Sequence, residues 1–517
     1  MGAEDFAKRI AEGYATDGPA IVLGRGMHDG ETYPDAVVQV PAAMMNRHGL
    51  IAGATGTGKT KSLQLLAEQL SALGVPVFAA DVKGDLSGLT RPAEPNEKIE
   101  ERNKTLGVDW TPAGYPVSFL SLGGLDAGVP VRATASSFGP LLLAKVLDAN
   151  DTQRSSLSLV FHYAEENGLP LVDLADLRAL LSYLTSDEGK DELRAIGGVS
   201  SATAGVLLRS ITELEYQGGD AFFGEPAIAV ADLMRTTDGK GVVSLLELTA
   251  VQDRPELFST FLMWLLAELF RELPEEGDVD QPKLVFFFDE AHLLFDDASD
   301  ELLDLVAQTV RLIRSKGVGV FFVTQLPDDV PDEVQAQLGN RIQHALRAHT
   351  PRDAEALRKA VTTYPTTEDY ELAKALTELG TGEAVVTILS EKGAPSPVVW
   401  TKMLAPTSLM DTIGEPAIQE AATADPLWAR YGERVDRESA KELLEKRTMT
   451  VKVEKPPEPE PEERPEPGER PEERPTSEKP KPRDDDNVVV DYLKSREGRQ
   501  MFNRVVRGLG RLFRRRR

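Results

Sequence analysis

The 517-residue chain contains no cysteine. That removes disulfides, thiolate metal sites and cysteine nucleophiles, and it argues against a secreted fold stapled by cross-links. There is no apolar run long enough to span a bilayer and no secretory signal at the start, so the expected location is cytoplasmic. Positive charge is also scarce: 58 Lys and Arg stand against 84 Asp and Glu, for a formal net charge of −26. Non-specific nucleic-acid binding relies on displacing counterions from phosphates, and the body as a whole is poorly suited to it. An assembly that confines its positive charge to a channel escapes this limit. Hydrophobic content of 41% fits a globular protein, and the length allows two or three domains with large cores.

What the chain does have is the stretch Leu50 to Ser62, LIAGATGTGKTKS. A short apolar run, Gly49 to Ala52, leads into the pattern G-x-x-x-x-G-K-T. Gly53, Ala54, Thr55, Gly56, Thr57, Gly58, Lys59, Thr60 and Lys61 are therefore candidate phosphate-binding residues. The glycines let successive backbone N–H groups face a phosphate, Lys59 can reach the β/γ-phosphates, and the Thr60 hydroxyl can ligate Mg²⁺. The following LQLLAEQLSALG has helical spacing, so its N-terminal dipole would add to the site. ATP and Mg²⁺ are the expected cofactors.

Ahead of this loop, residues 1–20 read as a short polar helix ending at Asp17-Gly18-Pro19. AIVLGRGMHDG reads as a strand and turn, and DAVVQVPAAM as a second extended piece, both at the edge of the core. Arg47 and His48 precede the core strand, where they can touch nucleotide or a neighbouring subunit, or make a structural hydrogen bond. Behind the loop, VPVFAA predicts a strand ending at Asp81, which puts Asp81, Lys83 and Asp85 where ligands bind in open α/β sheets. An acidic group there can orient Mg²⁺ or water, or simply cap a turn. Residues 90–118 are Pro-rich and irregular until YPVSFLSL, another strand. From Val131 to Gly224 the periodicity is helical, with Asp173 and Asp176 at caps. The β pattern resumes at AIAVADL and GVVSLLEL, followed by the long helix ELFSTFLMWLLAELFREL.

A second motif, KLVFFFDEAH, covers Lys283 to His292. Five consecutive apolar residues predict a central parallel strand covered on both faces, ending at Asp289 and Glu290. In a P-loop site the first carboxylate holds Mg²⁺ and the second polarises the attacking water. His292 can link these carboxylates to the next strand or to a partner. A helix carrying Arg311 and Arg314 precedes GVGVFFVTQ, whose terminal Gln325 is suited to position water and sense the γ-phosphate. LPDDVPDEVQAQLGNRIQHALRA predicts a helix bearing Asn340 and Arg341, then a strand with Arg347. Arg311, Arg314, Arg341 and Arg347 are candidates for a basic group supplied to a neighbouring site. Met403 to Thr407 reads as chain crossing back over the nucleotide or subunit surface.

The expected division is 1–130 and 226–410 for the two parts of the ATPase core, 131–225 for a helical insertion, and 411–452 for a short helical extension. Residues 453–487, dominated by Pro, Glu, Arg and Lys, predict a disordered linker. Residues 488–517 predict a basic amphipathic helix able to touch nucleic acid, an anionic membrane, an acidic partner or the chain's own acidic surface.

In NRHGLIAGATGTGKTKS…VFAADVKGDLSGL, GPLLLAKVLDANDTQ, FFFDEAHLLF and RLIRSKGVGVFFVTQ, the chain resembles the HerA-like branch of the HerA/FtsK ATPases, and specifically the bacterial family typified by YjgR. The likeness runs over about residues 5–450. It implies an α/β fold with a RecA-like P-loop NTPase core, a central parallel sheet and a hexameric ring. Relatives of this kind pump or unwind double-stranded DNA, often with a nuclease partner. By position it implies that Lys59 and Thr60 bind phosphate and Mg²⁺, that Asp289 holds the metal, that Glu290 activates water and that Gln325 is the sensor. The chain departs from the archaeal HerA pattern in lacking a substantial N-terminal β-barrel, and its linker and Arg-rich tail have no counterpart in that pattern. Two other classes use such a loop: a remodelling or assembly ATPase acting on protein or at a membrane, and a phosphotransferase, which the Asp-Glu pair suits less well.

Overall fold

The computed structural model describes residues 3–454, except 253–254, 278, 296–299 and 349. Of the linker expected at 453–487, residues 453–454 belong to a helix, Ala440–Glu454; the rest of it and the basic tail 488–517 lie outside the described residues. Those described belong to one unit, Met1–Lys455. No helix among them is long and apolar enough to cross a membrane.

The strands are β1 (Ala20–His28), β2 (Glu31–Pro41), β3 (Gly49–Ala52), β4 (Val77–Asp81), β5 (Val117–Leu122), β6 (Val129–Val131), β7 (Thr236–Thr237), β8 (Lys240–Gly241), β9 (Val243–Glu247), β10 (Leu284–Phe288), β11 (Val318–Thr324), β12 (Asn340–Gln343), β13 (Glu383–Thr387) and β14 (Val399–Met403). Apart from the β7–β8 ribbon they form one 12-stranded sheet in the order β2-β1-β14-β13-β12-β3-β11-β10-β4-β9-β5-β6. From β12 to β6 every neighbouring pair is parallel. From β12 to β2 every pair is antiparallel. The sheet is thus mixed, where a parallel one was expected. Asp29 and Gly30 supply the reason at the outer edge: both have positive φ (50° and 79°), the requirement of a two-residue hairpin turn, so β1 and β2 must run antiparallel.

The centre of the sheet is held by aromatic side chains in register. Phe286, Phe287 and Phe288 are fully buried. Phe287 sits opposite Phe321 and Phe288 opposite Phe322 on β11, while Phe286 faces Phe78 on β4. Ring centroids in these pairs are 4.9 to 5.6 Å apart. Each buried ring contributes about 2–3 kcal/mol of transfer free energy, so the apolar run that looked like a two-face-covered strand behaves as one.

The first helices in chain order are α1 (Ala3–Gly13), α2 (Lys59–Ala72), α3 (Glu97–Leu106), α4 (Ala135–Val146), α5 (Asp151–Glu166), α6 (Leu174–Thr185), α7 (Lys190–Ala195) and α8 (Ser201–Leu214). Helix α3 falls within the stretch read as irregular; Asn96 caps it by accepting from Ile99 N. Asp173 and Asp176 form a reciprocal capping box at α6, which satisfies two N–H groups that would otherwise be orphaned. Two further expectations fail. AIAVADL forms a single 3₁₀ turn, Val230–Leu233, and no strand. Asn340 and Arg341 lie on β12, the preceding helix being only Asp332–Gln335, and Arg347 lies beyond the strand. Pro331 stands at its N-cap and Ala336 at its C-cap, so that helix is only about one turn long.

Candidate functional site

Because β3, β4, β9, β10, β11 and β12 are parallel, their C-terminal ends emerge along one edge, where α/β sheets bind ligands. Every chemically interesting motif lies there. The Gly53–Gly58 loop follows β3, Gln325 follows β11, and Asp289 and Glu290 follow β10. Lys83 follows β4, Glu247 ends β9, and His344 follows β12.

The loop is held from both sides. Gly53 N donates to Thr324 O at 3.2 Å and Ala54 N to Ala345 O at 2.8 Å. A Cβ at Gly53 would approach His344 to 2.5 Å, and its φ of 153° also demands glycine. Gly382 N donates to Thr57 O at 2.9 Å. Arg102 in turn donates to Thr381 O, Gly382 O and Met403 O, so α3 fixes the turn that braces the loop. Thr55 and Gly56 remain exposed at the loop's crest, and Thr60 is half-buried in the first turn of α2. The Lys59 ammonium is buried and folds back on the loop, donating to Gly53 O at 2.7 Å and Ala54 O at 3.3 Å. Burial lowers its pKa, an effect opposed chiefly by Glu290. Lys61 donates to Gln64 Oε1 at 3.1 Å.

Asp289 is 1% exposed. Its Oδ1 accepts from Glu290 N at 2.9 Å, while its buried Oδ2 has no hydrogen-bond partner. Burial, reinforced by the charge of Glu290, pushes its pKa up to about 7. Glu290 has a φ of 46°, unusual for a residue with a side chain and a feature that concentrates at functional sites. Its carboxylate lies between two side chains: the Lys83 ammonium pairs with Oε1, and the imidazole Nδ1 of His292 is 3.3 Å from Oε2. Burial works to raise the Glu290 pKa, but the Lys83 contact, helped by His292 and Lys59, holds it below the usual range.

Gln325 is exposed, at the end of the strand standing between the β3 loop and the β10 carboxylates. Thr324 Oγ1 and Leu326 N both donate to Asp329 Oδ2 (2.6 and 2.9 Å), closing the turn around it. The arginine candidates do not converge. Arg311 is exposed and Arg314 half-buried at the opposite edge of the sheet, before β11 begins; Arg347 is exposed on the loop side. Arg341 donates to Thr363 Oγ1 at 2.7 Å. His48 also sits at the far edge, buried, its Nδ1 accepting from Val320 N, which is the structural option. Asp81 accepts from the N–H groups of Gly84, Asp85 and Leu86, the capped-turn option.

Sequence reasoning missed His344 and Arg102, and of the stretch Met403 to Thr407 read as crossing the nucleotide or subunit surface, Thr407 is tied with Ser408 to α2. Glu68 accepts from the amides and hydroxyls of Thr407 and Ser408. The only signal for His344 was its place immediately after a strand of the parallel set.

The sequence matches, over residues 27–517, the family described as Helicase HerA-like C-terminal. The chain belongs to this family. No curated protein matches it. Among solved structures, this HerA-like chain is similar to the bacterial conjugative coupling protein TrwB lacking its first 70 residues, in complex with sulphate. That likeness has a TM-score of 0.51 at 14% identity and covers 79% of this chain and 93% of the other. The plasmid coupling protein TrwB in complex with ADP and Mg²⁺ gives 0.50 at 15% identity over 78% and 97%. VirB4 of Thermoanaerobacter pseudethanolicus gives 0.46 at 16% over 75% and 97%. At these identities the TrwB likeness concerns the fold. Family and fold together make this HerA-like chain a P-loop ATPase, an enzyme that hydrolyses ATP.

Proposed function

We propose that the chain is a ring-forming, HerA-like motor of the bacterial YjgR type that couples ATP hydrolysis to movement along, or unwinding of, double-stranded DNA. The observation that carries the hydrolytic part is the meeting of the Lys59 loop with Asp289 and Glu290 at the ends of nearby parallel strands. In this reading the amides of 53–61 and Lys59 bind the β/γ-phosphates. Glu290 takes the proton of the attacking water, and Gln325 orients that water. The hard oxygens of Thr60 and the unpartnered Asp289 Oδ2 suit Mg²⁺. Among the described residues no group of three or more His, Asp and Glu is arranged to hold a metal, so the remaining ligands would come from the nucleotide and water. When bound, the ion neutralises charge developing on the phosphates.

Arg311, Arg314 and Arg347 stay candidates for the group that a ring neighbour inserts; Arg311 and Arg314 stand before β11, at the edge of the sheet opposite the Lys59 loop. DNA as substrate draws support from the family description and from the coupling role printed for TrwB. A nuclease partner, as in HerA systems, is part of the same reading. The net charge of −26 favours a second reading, a remodelling ATPase acting on protein or at a membrane. The deciding experiment measures ATP turnover with and without double-stranded DNA across a range of salt, alongside E290Q. The motor reading expects stimulation by DNA, and expects E290Q to bind ATP while losing at least about a hundredfold in turnover. Turnover indifferent to DNA at every salt concentration favours the second reading.

A further inference from the structure

Lys83 has no place in the phosphate loop or among the carboxylates, yet its ammonium pairs with Glu290. Its backbone is fixed. The Asp81 carboxylate gathers the N–H groups of Gly84, Asp85 and Leu86, and Gln252 Nε2 donates to Val82 O on the other side. The side chain is free by comparison, 41% exposed, and it reaches across from β4 to the Glu290 carboxylate, which is 6% exposed. Lys83 follows β4 and Lys59 follows the loop after β3, so both stand at the same edge of the sheet.

Both oxygens of Glu290 are therefore approached from the protein, Oε1 by the Lys83 ammonium and Oε2 by the His292 imidazole. While Lys83 holds Oε1, that oxygen is not free to engage a water. A γ-phosphate offers a mobile ammonium a denser set of charged oxygens than one carboxylate does. We propose that Lys83 exchanges Glu290 for the γ-phosphate of bound ATP, so that the carboxylate is released toward water only when a triphosphate occupies the loop. ADP leaves the Lys83–Glu290 pair intact and the site idle. The loop after β4 thereby becomes the element that distinguishes ATP from ADP. This rests on the assignment of Glu290 made above.

The test is a double-mutant cycle on binding. Equilibrium affinities for ADP and for a non-hydrolysable ATP analogue, both with Mg²⁺, are measured for the wild type, K83M, E290Q and K83M/E290Q, with K83R as the conservative variant. K83M is expected to lose about tenfold for the analogue and nothing for ADP. E290Q is expected to bind the analogue several-fold more tightly when Lys83 is present and to gain nothing in the K83M background. K83R retains the discrimination. Equal losses for both nucleotides in K83M, or the same E290Q gain with and without Lys83, overturn the exchange. An E290Q protein that hydrolyses ATP at the wild-type rate removes the Glu290 assignment itself. A hydrolysis-deficient E290Q with an additive cycle removes the exchange alone. Thermal melts of K83M and K83R separate either result from misfolding, which a half-exposed side chain is not expected to cause.

Discussion

Ser62 Oγ and His344 Nε2 lie 2.8 Å apart in the protein interior, joining the first turns of α2 to the end of β12. The other ring nitrogen, Nδ1, is 2.8 Å from Glu383 O. A carbonyl can only accept, so Nδ1 carries the proton and Nε2 accepts from the serine hydroxyl. The imidazole is a neutral strut between the phosphate helix and the antiparallel side of the sheet.

Replacing this strut by alanine, H344A, leaves a cavity and unsatisfied groups. The expected cost is about 2–4 kcal/mol of stability, read as a lower unfolding temperature. Nucleotide affinity should fall as well, because the same segment braces Gly53 and Ala54. S62A should weaken binding less, since it removes one partner and opens little space.

The two buried imidazoles give an acid-side signature. Burial pushes His48 and His344 down to about 4. Between pH 6.5 and 4 the unfolded chain takes up protons that the folded chain refuses, so their contribution to stability is complete above about pH 6.5 and is lost as pH falls toward 4. Denaturant midpoints over this window should fall less steeply in H48Q than in the wild type. Equal slopes would count against the neutral buried state.

Glu247 gives the opposite sign. It is 3% exposed, its Oε1 has no partner, and burial with Asp81 and Asp126 nearby raises its pKa to about 9. The folded protein then holds a proton that the unfolded chain releases above about pH 4.5, so stability declines as pH rises from there through 9. E247Q should melt higher than the wild type at pH 8–9, by a few degrees, with the gap closing toward pH 5.

Arg102 should behave as a brace with no tolerance for lysine. Its guanidinium serves three carbonyls at once, a fan of donors that one ammonium cannot reproduce. R102A and R102K are both expected to raise KM for ATP several-fold with a smaller change in kcat, as measured in steady-state ATPase assays.

Replacing Asp289 by asparagine keeps its shape but removes its charge. D289N should raise the Mg²⁺ concentration needed for half-maximal turnover by about tenfold or more. Binding of metal-free nucleotide, measured in the presence of EDTA, should barely change, because the loop amides and Lys59 remain.

The ATPase was legible because its two motifs are each written as a strand followed by chemistry. Leu50 to Lys59 and Leu284 to Glu290 state both where a strand ends and what stands there, and the structure brings those ends to one edge. The antiparallel side was less legible. Asp29-Gly30 announces a hairpin, but nothing local tells β1 to pair with β14, since Gly24 meets Met403 only through the fold. AIAVADL has the apolar content of a strand yet packs as one turn, because propensity in so short a segment yields to its surroundings. Arg102 and His344 were invisible for a different reason. Their importance lies in main-chain carbonyls and a serine distant in sequence, and a lone basic residue in a helix or after a strand carries no such information. Lys83 was placed in the right region, while its partner was not foreseeable from spacing.

The sheet order has a consequence for synthesis. Strand β3, which carries the phosphate loop, is flanked by β11 and β12, and β1 by β2 and β14. A ribosome therefore delivers the loop long before it delivers either neighbour of the strand that bears it. Until β11 has emerged, the apolar Gly49–Ala52 run has no ladder to join, and until β14 follows the first hairpin has one open side. Such non-local pairing is slow and leaves strand edges exposed to other chains. Newly made protein should depend on chaperones for most of its translation, and nucleotide binding should arrive late and all at once.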